Sequence, residues 1–151
     1  IASCLVGSEM CIRDRMYGVE SYLEGWALYC ENLGEFKTNE DYVGKVVMEL
    51  LRAIRLVVDT GIHYYGWSYK KTFNYIVTNG YETKELIESQ IIRYISLPGQ
   101  ALAYKIGEKC FIDCLNKFLE DGGTDIRDFH TKVLEDGVVP LHMLREKFNI
   151  N

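Results

Sequence analysis

Arg52, Arg55, Asp59 and His63 are spaced three, four and four residues apart, so on an α-helix they form one polar stripe. A solvated face carrying i,i+4 ion pairs is the common meaning of such a stripe. Here, however, the surrounding residues IRLVVDTGIHYYGW are almost wholly apolar, and an ordinary surface stripe does not need such flanks. A buried Asp59 would need a partner, and Arg55 or His63, one turn away, could supply it. A solvated face and a functional polar seam are the two readings.

The stretch EGWALYCE raises a similar choice. Glu20, Glu24 and Glu31 lie four and seven residues apart, a spacing that lets all three share a helix face. Carboxylates so arranged suit a metal or an acid–base site, or else a solvated acidic face. Glu24 is set apart by its neighbours Leu23, Gly25, Trp26, Ala27 and Leu28. A carboxylate in an apolar sleeve is expensive unless something cationic compensates it.

A third group surrounds Pro98-Gly99 in IIRYISLPGQALAYKIG. Arg93 and Tyr94 precede the Pro-Gly step, and Gln100 and Tyr104 follow it. Proline in a helical pattern frees a carbonyl and bends the axis. Often that is only a packing solution, but this bend carries Arg, Gln and two Tyr in an otherwise apolar segment. A tyrosine hydroxyl can donate to a developing oxyanion, and Arg can bind a carboxylate through two parallel hydrogen bonds. Cys110 and Cys114 are four apart. On one helix face that spacing disfavours a disulfide and makes only a weak metal pair; small residues on a buried face is the plainer meaning.

The elements that must position these groups are helices. The pattern predicts a helix over 19–33 ending at Gly34, and a second from an N-cap at Asp41 to about Trp67, with apolar residues recurring at three- and four-residue steps. A third covers 68–78 and stops at Asn79-Gly80. A fourth begins near Thr83, is kinked at Pro98-Gly99, and resumes to about Leu119 before Gly122-Gly123. Two short helices follow, 125–135 and 141–148, with Pro140 near the start of the second. No strand pattern occurs, so the chain is expected to be all-α. Helices this apolar want partners, and part of a larger helical domain fits them as well as a complete one.

Composition bounds the function. The 151 residues are 48% hydrophobic and 26% charged, with a net charge of −5; the pI is about 5.2. That is globular composition, and it gives no support to a nucleic-acid surface. No apolar run is long enough to span a membrane, and the first residues make a poor signal peptide. Localisation is left open.

Four segments together carry a resemblance: YLEGWALYCENLGE, ELLRAIRLVVDTGIHYYGWSYKKTFNYI, QIIRYISLPGQALAYKIG and DFHTKVLEDGVVPLHML. In this order they resemble successive blocks of the DUF885 family, a bacterial family of predicted zinc-dependent peptidases with an all-helical fold, similar in layout to the helical gluzincin peptidases. The resemblance runs from Tyr17 to the end. It implies that the Glu of EGWALY, Glu24, is the third zinc ligand, following an HExxPGH motif that supplies the first two ligands and a general base. A three-ligand zinc leaves a position open for water. His63, Tyr94 and Tyr104 then fall on blocks implied to be catalytic, and Arg93, Gln100, Arg55 and Asp59 on the substrate side. The implied substrate is a peptide.

One departure matters. The only histidines are His63, His130 and His142; none is followed by Glu, and HExxH and HExxPGH are absent. The zinc helix belongs upstream of Glu24. There the chain reads LVGSEMCIRDR over residues 5–15, which resembles one reading frame of a sequencing-library adapter. The expected organisation is therefore a non-native segment over 1–15 and, over 16–151, the C-terminal part of a DUF885-like domain that lacks its N-terminal half. Zinc is expected in the intact parent and not as a tight ligand of this chain alone, which is expected to be inactive by itself. The alternative is a non-catalytic helical binding or scaffold protein that uses the same cleft.

Overall fold

The structure is a computed structural model, and it describes residues 19–34, 37–80 and 83–150. Segment 1–15 lies outside the described residues. Among those described there are seven helices: α1 Glu20–Glu31, α2 Asn39–His63, α3 Tyr69–Asn79, α4 Lys84–Ser96, α5 Gln100–Glu120, α6 Ile126–Leu134 and α7 Leu141–Lys147. The fold is all-α, as the hydrophobic periodicity requires. No helix among the described residues is long and apolar enough to cross a membrane.

Both ends of α2 differ from expectation by more than the residue or two seen at other helix ends. The N-cap of α2 is Thr38, not Asp41. The Asp41 amide donates to Thr38 Oγ1 and the Thr38 amide donates to the Asp41 carboxylate, both at 3.1 Å. Asp41 is thus the third-position partner of a capping box, an arrangement that satisfies two otherwise orphaned amides. At the other end α2 stops at His63 instead of continuing to Trp67. Gly66 takes a positive φ of 63°, and the Trp67 indole folds back onto Gly61, where an added Cβ would fall 2.6 Å from the ring.

The kink at Pro98-Gly99 is a full break between two helices. Leu97 leaves the helical region at φ −129°, ψ 73°, as a residue before proline prefers. Gly99 then adopts φ 81° as the N-cap of α5, a left-handed geometry that glycine enters without steric cost.

Helix α5 joins two cores. Its C-terminal half brings Cys110, Phe111 and Cys114 against Tyr22 and Tyr29 of α1, Phe129 and Val133 of α6, and Leu144 and Phe148 at α7. Its N-terminal end contributes Ala101 to a second core with Ile54 and Val58 of α2, Ile76 of α3, and Ile87, Ile91 and Tyr94 of α4. The α1–α5 pair is the most extensive contact, and α2 also packs along α5. The first half of α2 is left apolar and exposed: Tyr42, Val43, Val46 and Leu50 all face outward.

Candidate functional site

The polar stripe of α2 turns toward α1, α4 and α5. Arg52, buried, donates through both terminal nitrogens to the Glu31 carboxylate at 2.8 and 2.9 Å. Arg55 donates through Nε to the Tyr94 hydroxyl at 3.3 Å, and its guanidinium lies 4.9 Å from the centre of the Tyr104 ring. His63 donates through Nε2 to the Tyr94 carbonyl at 2.9 Å. A solvated face would not do this; each position of the stripe reaches a group outside α2.

Asp59 corrects the expectation about its partner. It is 2% exposed, yet it forms no ion pair with Arg55. Its carboxylate accepts the Gly99 amide at 3.1 and 3.2 Å. Gly99 caps α5, so the acid sits at a helix N-terminus, where free amides and the helix dipole favour negative charge. Burial pushes the Asp59 carboxyl above its ordinary pKa, and the Gly99 hydrogen bond and the charge of His63 oppose that rise.

The helix break brings the remaining groups together. Arg93, near the end of α4, donates to the Tyr104 hydroxyl at 3.4 Å. Tyr94 is buried, whereas Tyr104 is only half-buried. Among the described residues the Tyr104 hydroxyl accepts from Arg93 and has no acceptor of its own, so its proton remains to be donated. Gln100 turns the other way and donates to Glu20 at 2.7 Å. It borders a cavity of about 620 Å³ lined mostly by Leu97, Pro98, Leu102, Ala103 and Ile106. That cavity shares only Gln100 with the predicted site residues.

Glu24 is placed by the α1–α5 crossing. An added Cβ on Gly25 would fall 2.3 Å from the Gly107 backbone, so the two helices meet backbone to backbone beside it. Glu20 is bonded to Gln100. Glu24 lies one turn beyond Glu20, and Tyr104 one turn beyond Gln100. Glu24 is half-buried and makes no hydrogen bond or ion pair among the described residues. His63, Arg93, Tyr94, Tyr104, Arg55 and Asp59 are thus linked through α2, α4 and the start of α5. Gln100 is linked to α1, and Glu24 lies next to that link without bonding to the others. No group of three or more His, Cys, Asp or Glu among the described residues could hold a metal ion. One carboxylate does not make a zinc site, so the described residues do not by themselves supply a ligand set for zinc.

Sequence reasoning missed a second polar network. Glu108 is 2% exposed. It accepts from Asn32 at 2.8 Å and from Lys105 at 2.6 Å, and Lys105 also binds Glu49. Its only sequence signal was the i,i+3 spacing of Lys105 and Glu108. Cys110 and Cys114 are buried core residues, in keeping with the plainer of their two meanings. His130 bonds the Tyr29 hydroxyl at 2.9 Å among aromatic rings, a packing role.

Comparison with known proteins adds the family. The family described as "Bacterial protein of unknown function (DUF885)" matches residues 7–148. No curated protein matches the chain. Among solved structures the fold is similar to that described as "the putative lipoprotein from Colwellia psychrerythraea". The two share 34% sequence identity, with a TM-score of 0.78 over 86% of this chain. The chain spans 23% of that protein's length. With a match over nearly all of its length, the chain belongs to the DUF885 family.

Proposed function

We propose that this chain forms the substrate-side wall of a zinc-dependent peptidase, with Tyr104 receiving the carbonyl of the bond to be cleaved and Glu24 contributing one metal ligand. The observation that carries this reading is the environment of Tyr104. Its oxygen accepts from the Arg93 guanidinium, its ring faces the Arg55 guanidinium, and its own proton has no acceptor among the described residues. Accepting from a cation polarises a hydroxyl and makes it a stronger donor. A carbonyl oxygen that gains negative charge during attack is the kind of acceptor such a donor stabilises. Glu24 is consistent with a ligand role because it is half-buried and not neutralised within the described chain. The other ligands and the general base would come from residues outside this chain.

His63 and Asp59 position this wall. His63 fixes the end of α4 through the Tyr94 carbonyl, and Asp59 fixes the start of α5 through the Gly99 amide. Together they set the approach of Arg93 to Tyr104. The test is hydrolysis of a mixed peptide library by the full-length protein, with metal content measured by mass spectrometry. The peptidase reading expects cleavage and zinc, both lost in Glu24→Gln. A zinc-free wild-type protein that binds peptides without cleaving them would establish the binding-protein reading instead.

A further inference from the structure

Five arginines lie among the described residues, and three of them have carboxylate partners: Arg52 with Glu31 at 2.8 Å, Arg127 with Asp125 at 2.6 Å and Arg145 with Asp113 at 3.5 Å. The other two, Arg55 and Arg93, are both half-buried and have none among the described residues. Both approach the same phenol, Arg93 at its hydroxyl and Arg55 at its ring face. The acid best placed to neutralise Arg55 is Asp59, one turn along α2, and it is committed to the Gly99 amide. Two like charges gathered around one half-buried ring repel each other and lose hydration. An anion between them would relieve both costs.

We propose that Arg55 and Arg93 form a receptor for a carboxylate of the bound peptide, either its C-terminal α-carboxylate or an acidic side chain. The proposal rests on the peptidase reading for the identity of the ligand as a peptide. A guanidinium presents five N–H donors in a planar fork that matches a carboxylate. The contacts to Tyr94 and Tyr104 use one nitrogen of each arginine, which leaves further donors on both. The anchored carboxylate would lie beside the hydroxyl assigned to the scissile carbonyl, so cleavage would fall close to the anchor. The enzyme would then act near peptide C-termini, or beside an acidic residue.

The test uses the full-length protein, treated with chelator to silence turnover, and calorimetric titration of three probes: a short alanine peptide as the free acid, the same peptide as its C-terminal amide, and that amide with one Ala replaced by Glu. One of the two anionic probes should bind at least about tenfold tighter than the neutral amide, as expected for charge-assisted bidentate pairing. Whichever it is identifies the source of the carboxylate. The preference for that anion over the amide should collapse in both Arg93→Gln and Arg55→Gln and recover only in part in Arg93→Lys, with thermal melts confirming that each variant is folded. Equal binding of all three probes, binding of none, or a preference that survives Arg93→Gln overturns the receptor. Hydrolysis of the neutral amide at the same kcat/KM as the acids also overturns it and leaves the peptidase reading intact. Anion-selective binding without hydrolysis in the metal-loaded protein does the reverse.

Discussion

Gly25 of α1 and Gly107 of α5 touch through their backbones: a Cβ on Gly25 would fall 2.3 Å from the Gly107 carbonyl carbon, and one on Gly107 would fall 2.0 Å from the Ser21 carbonyl oxygen. Glycine inside a helix costs up to about 1 kcal/mol relative to alanine, so each residue needs a reason to be there. The reason is the approach of α1 to α5, which sets where Glu24 stands relative to Tyr104. Gly25→Ala and Gly107→Ala are therefore expected to destabilise the protein by about 1–3 kcal/mol despite the better helix propensity, because the obstacle is backbone and cannot rotate away. Urea denaturation measures this; an unchanged or raised midpoint in either variant would show that the helices are free to separate.

These glycines mark the limit of what the sequence could tell. Periodicity located the helical segments among the described residues, with α4 and α5 read as one, since amphipathic spacing is a local property. EGWALY drew attention to Glu24, whose charge among apolar neighbours is visible in the sequence, while the glycine beside it looked like a minor irregularity. The contact that explains Gly25 lies in α5, and only the tertiary fold brings Gly107 to it. Asp59 teaches the same lesson. Local spacing offered Arg55 and His63 as partners, but the fold supplied a backbone amide forty residues away, and a main-chain donor leaves no mark in the residue types. The Pro98-Gly99 step was readable as a disturbance but not as a complete break, because two helices joined there read the same as one bent one. The grouping of Arg55, Arg93 and Tyr104 likewise depends on α2, α4 and α5 packing together.

Asp59 makes stability depend on pH in a predictable direction. Burial raises its folded-state pKa above the ordinary 3.8, against the Gly99 hydrogen bond and the His63 charge. The folded protein therefore holds this proton more tightly than the unfolded chain does. The resulting stability is fully present below the ordinary pKa and is lost as pH rises through the raised value. Asp59→Asn keeps an oxygen for the Gly99 amide and removes the charge, so this component of the pH dependence should vanish, and at neutral pH the variant should be at least as stable as wild type. Asp59→Ala leaves the amide unpaired and should cost about 1–3 kcal/mol. Denaturation midpoints collected from about pH 4 to 7 decide the matter; identical profiles for wild type and Asp59→Asn would contradict it.

Cys110 and Cys114 should be chemically silent in the folded protein. Both are buried; the hydrogen bond between them, together with burial, pushes the Cys114 thiol far up, while the same hydrogen bond holds the Cys110 thiol below its ordinary value, so that burial alone keeps reagent from Cys110. Thiolate is the reactive form. Brief treatment with iodoacetamide at mildly alkaline pH, followed by peptide mapping, should leave both unmodified without denaturant and modify both in urea. Rapid native labelling of Cys114 would mean that the α5–α7 core opens readily.

The two tyrosines should separate by role. Tyr94 is buried, and its hydroxyl accepts from Arg55 Nε at 3.3 Å. Removing it in Tyr94→Phe leaves that nitrogen without its acceptor, which should cost about 1 kcal/mol of stability and leave the chemical step largely intact. Tyr104 is half-buried and keeps a proton to donate, so Tyr104→Phe should do the opposite. The ring stays in place beneath Arg55, so packing and stability change little. If the hydroxyl stabilises the charge that develops on the scissile carbonyl, kcat in the full-length enzyme should fall by about 10²-fold, by analogy with the loss of one oxyanion donor. KM should change less, because that interaction strengthens only as charge develops. Steady-state kinetics and thermal melts on the two variants give the full comparison. A kcat loss that follows Tyr94 instead of Tyr104 would reassign the donor. An equal loss of kcat/KM through KM alone in Tyr104→Phe would make Tyr104 a ground-state binding group and remove it from the chemistry.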